Sequence, residues 1–273
     1  MTPSTGNPSA DQPGTPRPGR VERVADHYSV IAAKYAAFRP GYPDALFDWL
    51  ASLTPSRALV WDCGTGSGQA AAPLARYFGR VHATDPSQAQ LDGAPPHPRI
   101  RYRVGREAAS GLPDRSTSLV TVAQAAHWFD LTAFYAEVDR VLQPGGVLAI
   151  WSYATTIIDE AIDPRLDWFR RERVGNDWPP GREHVDDGYR SLPFPYPELA
   201  APSFSIEMDW NLHQLLGYVS SWSAVARCTE REGRDPLADL VTVIARGWGD
   251  PDRIRRVTWP ISMRVGIKPV APG

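Results

Sequence analysis

The stretch VWDCGTGSGQ, Val60 to Gln69, constrains this chain more than any other. The apolar run Ala58–Trp61, bounded by turn residues, reads as a buried strand. Asp62 follows it, and Gly64, Gly66 and Gly68 then stand at alternate positions before a helical pattern that begins at Gln69. Glycine has no Cβ, so it enters left-handed backbone readily and lets a ligand lie against the main chain. The amino end of the following helix adds unpaired N–H groups and partial positive charge. The spacing is G-x-G-x-G, not the G-x-G-x-x-G of a dinucleotide fingerprint. A purely structural turn is the competing reading.

The downstream sequence keeps the same rhythm. RVHATD, RIRYRV, SLVTVA and VLAIWSY read as strands, QAAAPLARYF and LTAFYAEVDRVL as helices, and QPGG as a turn. Strands alternating with helices at this pace make βαβ units and a parallel sheet. In RIRYRV, Arg99, Arg101 and Arg103 alternate with Ile100, Tyr102 and Val104. That pattern fits an edge strand guarded by charge better than a nucleic-acid contact. Farther on, PRLDWFRRERV is helical and Gly175 to Ala201 is a long Pro- and Gly-rich loop. SFSIEMDW is a strand, while NLHQLLGYVSSWSAVARC and DPLADLVTVIARGW are helices. RRVTWPISMRVGIK is a final strand, and its Pro260 suits an edge or a bulge. Upstream, Val24, Tyr28, Ile31 and Tyr35 share one helical face, RPGYP breaks that helix, and Pro43 opens DALFDWLASL. The first twenty residues, rich in Pro, Gly, Ser and Thr, read as a disordered tail without the apolar core of a signal peptide.

A formal net charge of −2 argues against a broad grip on nucleic acid, which needs many uncompensated cations. No apolar run approaches the ~20 residues of a membrane span. Two cysteines, Cys63 and Cys228, do not make a secreted disulfide scaffold. A cytoplasmic protein without membrane or nucleic-acid partners is expected, its metal ligands none by spacing. Eight of the ten tryptophans lie at or beyond Trp128, which foretells an aromatic-lined cavity or a Trp-rich core.

Asp85 ends the second strand, 23 residues after Asp62. An acid there accepts hydrogen bonds from two ribose hydroxyls. Two acids framing a glycine turn repel a diphosphate and suit a nucleoside that carries an amine and a positive centre.

VWDCGTGSGQ, VHATDPS, GLPDRSTSLVTVAQAAHWFD and RVLQPGGVLAIWSY, in this order, resemble the successive motifs of the class I S-adenosylmethionine-dependent methyltransferases. AHWFD, RPGYP, WNLHQLLGYVSSWSAV and WPISMRVG are similar to a small-molecule branch that includes the trans-aconitate methyltransferase-like proteins. The likeness spans residues 25 to 269. It implies an α/β, Rossmann-like fold with a seven-stranded, mostly parallel sheet, helices on both faces and a helical cap. A tail at 1–20 would precede a single domain, 21–273, with cap elements from 21–53 and 211–250.

The same resemblance implies roles. Asp62, Gly64, Gly66 and Gly68 would hold the methionine part of S-adenosylmethionine, Asp85 its ribose, and Gln124 would lie under the methionine part. Tyr35 and Arg39 would close over the cofactor, Arg39 reaching its carboxylate; a surface arginine before a proline is the alternative. The branch places an acid near the adenine amine where this chain has Ala108. Glu107 stands one residue early, so either Glu107 shifts to reach the adenine or backbone alone holds it. Ser118 replaces an acid usual before the fourth strand.

Methyl transfer is an in-line displacement that requires the acceptor lone pair behind the methyl carbon and exclusion of water. A phenol, alcohol or carbon acceptor also benefits from a base. His127 is the candidate base, or else a histidine that shapes its loop. Trp128 walls the acceptor pocket or anchors the loop, and Tyr153 is a further pocket candidate. The expected activity is methyl transfer to a small organic acceptor, as in specialised metabolism. The other readings are a cyclase that binds the cofactor without consuming it, a non-catalytic binding protein, and an RNA or protein methyltransferase.

Overall fold

A computed structural model describes residues 41–270. Five parallel strands form its centre: β1 (Leu59–Cys63), β2 (Arg80–Asp85), β3 (Ile100–Val104), β4 (Thr117–Ala123) and β5 (Leu142–Ser152). Three more, β6 (Glu198–Leu199), β7 (Phe204–Trp210) and β8 (Arg255–Ile267), join antiparallel. The order is β3-β2-β1-β4-β5-β8-β6, with β7 on β8. Among the described residues this is the expected mostly parallel sheet, seven strands in one path with an eighth, β7, on β8, and β3 is the edge that its arginines foretold.

β1 and β4 are buried on both faces because helices cover both, so alternate residues of β4 serve different layers. On one side α1 (Asp44–Leu53) and α2 (Ala71–Tyr77) set Leu46, Phe47, Leu50 and Leu74 against Val60, Val81, Leu119 and Trp151. On the other, α4 (Leu131–Val141) packs Phe134, Val138 and Val141 on Trp61, Val120, Val122 and Ile150; α3 (Gln88–Asp92) follows β2. Asp130 opens α4 by accepting a hydrogen bond from the Ala133 amide, as an N-cap aspartate does.

A third cluster joins α5 (Asp163–Trp168), α7 (Leu212–Ser220), α8 (Ser223–Glu232) and α9 (Leu237–Trp248) to β7 and the first half of β8. Here Phe169, Leu215, Val219, Trp222, Ile244, Trp248 and Trp259 are buried. α1 packs in the sheet layer, and Tyr42, just before it, packs against both that layer and the helical cluster.

Other expectations are corrected. Gly175 to Ala201 is not one loop: α6 (Arg182–Asp186) and β6 lie within it. NLHQLLGYVSSWSAVARC breaks at Ser221–Trp222 into α7 and α8, and α7 starts on a reciprocal Asn211–Gln214 capping box. QPGG is absorbed into a β5 whose register against β4 shifts between Thr117 and Leu119. Pro260 lies opposite Ser205 in the half of β8 that pairs with β7, whereas the pairing with β5 begins at Ser262. The missing N–H is tolerated where β8 has left the central sheet. The tail, the helix bearing Val24 to Tyr35, Tyr35 itself and Arg39 lie outside the described residues. Among the described residues no helix is long and apolar enough to cross a membrane.

Candidate active site

Strand order reverses between β1 and β4, and such a switch point opens a crevice beyond the carboxyl ends of the strands. The glycine turn leaves β1 there. Its Gly64 and Thr65 amides both donate to the Thr84 carbonyl of β2, at 2.8 and 3.0 Å. The three glycines serve different ends, although all have positive φ. A Cβ on Gly64 would fall 2.6 Å from the Ala125 Cβ, and one on Gly68 would fall 2.5 Å from the Tyr102 hydroxyl. Those two admit neighbouring parts of the protein itself. Among the described residues a Cβ on Gly66 would have Gln90 Oε1 as its nearest neighbour, at 3.8 Å, so none of them covers the main chain at Gly66.

Asp85 frames that bare backbone. One carboxylate oxygen accepts from the Gly66 amide and the other from the Ser87 amide, each at 2.9 Å. Each oxygen keeps a lone pair for a further donor. Burial raises the Asp85 carboxyl above its ordinary range, against the lowering effect of those two amides.

Asp62, expected with the glycine turn to hold the methionine part, sits beneath the turn. It is buried, and its two oxygens accept from the Thr65 and Thr121 hydroxyls at 2.5 and 2.7 Å. Desolvation pushes its carboxyl up to about 6 from an ordinary 3.8; the threonines oppose the rise and Asp85 adds to it. A carboxyl raised on folding makes stability fall as pH climbs from about 4 to about 6, and the loss is complete above that. At ~1.4 kcal/mol per pH unit the penalty at neutral pH is on the order of 3 kcal/mol. Asp62→Asn keeps the shape and discards the charge, and threonine hydroxyls can turn to accept from the amide. It is expected to raise stability at pH 7 by about 1–3 kcal/mol, with the gain shrinking toward pH 4. Urea unfolding at both pH values checks this; a variant weaker than the wild type at pH 7 would show that the charge itself holds the turn together.

The loop after β4 meets the glycine turn through Ala125. Gln124 holds a positive φ of 57°, uncommon for a residue with a side chain. Its backbone amide bonds the Trp151 carbonyl and its Nε2 donates to the Tyr153 carbonyl at 2.7 Å. Its Oε1 is buried and has no partner among the described residues. The next residues wind into a 3₁₀ turn, Ala126–Trp128. There His127 Nδ1 lies 2.9 Å from the Tyr189 hydroxyl, and the two rings stack 6.0 Å apart. Glu107, half-buried, accepts from the Asp130 amide at 3.3 Å, and its charge reaches the buried Cys63 thiol at the end of β1. Ala108 is exposed.

One pocket is lined by His127, Trp128 and Tyr153, expected on the acceptor side, together with Gln124, expected under the methionine part of the cofactor. Its remaining wall includes Trp178, Arg182, Tyr218 and Trp222, none of them singled out by the sequence. Abundant tryptophan was the one signal for this wall. Arg182 lay within a stretch read as loop, where nothing local marks it.

A methyltransferase-domain family matches residues 61–150. A Dictyostelium discoideum protein with a provisional methyltransferase name is 33% identical over 250 residues, which is 89% of this chain and 95% of that one. An uncharacterised methyltransferase of Mycobacterium tuberculosis is 35% identical over 166 residues, with 59% of this chain and 62% of that protein covered. A solved structure from Anaeromyxobacter dehalogenans, described provisionally as a type II methyltransferase, shares 47% identity at a TM-score of 0.80, covering 85% of this chain and all of that one. Relatives of this identity and coverage, together with a glycine turn and a second-strand acid at the sheet's switch point, place the chain in the S-adenosylmethionine-dependent methyltransferases of the class I fold.

Proposed function

We propose that this chain moves a methyl group from S-adenosylmethionine to a small organic acceptor held in the aromatic pocket beside His127. The observation that carries the reading is the junction of the two loops at the switch point. The glycine turn touches the β4 loop at Ala125, and that loop sends Gln124 and His127 into the pocket. The residues present fit the cofactor. Bare backbone at Gly66 admits a ligand, Asp85 has lone pairs for two ribose hydroxyls, and the orphan Gln124 Oε1 suits an ammonium donor. Two carboxylates close to the turn, Asp62 below and Asp85 beside, favour a cationic ligand. Glu107 stands at the mouth of β1 for the adenine amine. Tyr35 and Arg39 complete the assignment from the resemblance, as does the likeness to the trans-aconitate methyltransferase-like branch.

When bound, S-adenosylmethionine supplies a methyl carbon that accepts the acceptor's electron pair as the carbon–sulfur bond breaks and its electrons stay on sulfur. The protein orients the acceptor between Trp128, Tyr153 and Trp222 and excludes water, and orientation of this kind is worth ~7–11 kcal/mol. His127 takes the proton when the acceptor is a hydroxyl. Its Nδ1–Tyr189 bond fixes the ring, and with Nδ1 protonated Nε2 is the basic nitrogen.

The experiment is incubation of the chain with methyl-labelled S-adenosylmethionine and a metabolite extract, followed by mass spectrometry. The expected result is label in a low-mass organic compound, matched by demethylated cofactor. Label confined to protein or RNA, or cofactor that binds and keeps its methyl group, overturns the reading.

A further inference from the structure

The described lining of the acceptor pocket carries a cation whose carboxylate partner, Asp186, lies outside that lining. Among the described residues its lining includes no carboxylate and one side chain of fixed charge, Arg182. That guanidinium stacks over the Trp178 ring, its carbon 4.1 Å from the ring centroid. Nε and Nη2 contact a single oxygen of Asp186, at 3.0 and 2.9 Å, and Nη2 lies 3.5 Å from the Ala154 carbonyl. Nη1 takes part in none of these contacts.

Among the described residues the charges around Arg182 do not cancel. The same Asp186 oxygen accepts from Arg170 Nη1 at 2.9 Å. Arg170 also bonds Asp167, whose same oxygen accepts from Arg171. Three guanidinium groups share two carboxylates, which leaves one positive charge over. Asp186 is 40% exposed on the solvent side of this network, whereas the Arg182 side chain is 20% exposed. Desolvation weakens the hold of Arg182 on its proton, so a second anion beside it is favoured.

A second element points the same way. The break between α7 and α8 turns the amino end of α8, a ten-residue helix, toward the pocket. Trp222 caps it without a side-chain hydrogen bond, and Ser223 lines the pocket at its first turn. The unpaired amides of a helix start add partial positive charge. Five aromatic side chains, Trp128, Tyr153, Trp178, Tyr218 and Trp222, complete the wall. Flat rings stack well against such surfaces.

We infer that the acceptor is a small aromatic acid whose carboxylate is anchored by the Arg182 guanidinium against the start of α8. The methylated atom is then a different group of that acid, presented to His127. This rests on the methyl-transfer reading above and names the acceptor for the same site. Arg182 acts by holding the acceptor, so its removal changes acceptor affinity and selectivity before it changes cofactor affinity.

The test is titration calorimetry on the full chain saturated with S-adenosylhomocysteine. The probes are the three monohydroxybenzoates and the corresponding hydroxybenzamides, the same shapes without the charge. At least one benzoate is expected to bind ~10-fold or more tightly than its amide, the scale of a charge-assisted hydrogen bond. Arg182→Gln is expected to abolish that preference while S-adenosylhomocysteine affinity stays within about twofold. Arg182→Lys keeps the charge without the planar fork and is expected to restore part of the preference. Circular dichroism of both variants confirms folding, and the lysine variant keeps the test decisive if the glutamine variant does not fold. Equal binding of acid and amide by the wild type, no binding of any acid, or an undiminished preference in Arg182→Gln overturns the inference. So does a collapse of S-adenosylhomocysteine affinity in Arg182→Gln, which would give the guanidinium to the cofactor. Failure of the methyl-transfer reading looks different: the wild type would not bind S-adenosylhomocysteine, or a bound acid would never receive label.

Discussion

His127→Ala is expected to lower kcat by ~10²–10⁴-fold, the usual yield of a positioned base. It should leave S-adenosylmethionine affinity nearly unchanged. The imidazole lies in the acceptor pocket, and the glycine turn touches Ala125, two residues earlier, not His127. Its ring is fixed on the far side by Tyr189, a buried residue itself in left-handed backbone at φ 65°. Such strain is maintained only where the surroundings enforce it, and here it delivers a hydroxyl to His127 Nδ1. Single-turnover methylation across a pH series checks the role. A wild-type rate throughout would reject His127 as the base and leave orientation as the main source of catalysis. A carboxylate as the methylated atom would give a much smaller loss, because no proton is removed.

Gly66→Val is expected to abolish cofactor binding in a chain that still folds. Among the described residues the new side chain meets little protein, since the nearest atom to its Cβ is the end of the Gln90 side chain at 3.8 Å. The cost to folding is backbone strain at φ +55°, on the order of 1–3 kcal/mol. The cost to binding is a branched side chain in the space a ligand must enter. Gly64 and Gly68 behave differently. Substitution there drives a Cβ into Ala125 or Tyr102, so it damages the fold before it informs about the ligand.

Residues with local signatures were legible from the sequence. The β1–turn–α2 unit, the acid ending β2, the edge position of β3 and the helix after Asp130 follow from periodicity, glycine spacing and capping. Roles set by burial were not. The resemblance gives Asp62 a role at the methionine part, but nothing local foretells that the fold buries it against Thr65 and Thr121. The three glycines looked equivalent, yet two of them accommodate protein neighbours. The acceptor wall was the least legible. Arg182 and Trp178 come from a Pro- and Gly-rich stretch, while Tyr218 and Trp222 come from a helix pair that read as one helix. Their convergence depends on tertiary packing between segments some forty residues apart in sequence, which no local pattern encodes.

Titration of S-adenosylmethionine into the wild-type chain and into Gly66→Val, followed by calorimetry, tests most directly whether the switch-point crevice holds the cofactor. The predicted result is one saturable site per wild-type chain and no measurable heat with the folded variant. Equal binding by the two would contradict it and make the glycine turn a structural feature alone.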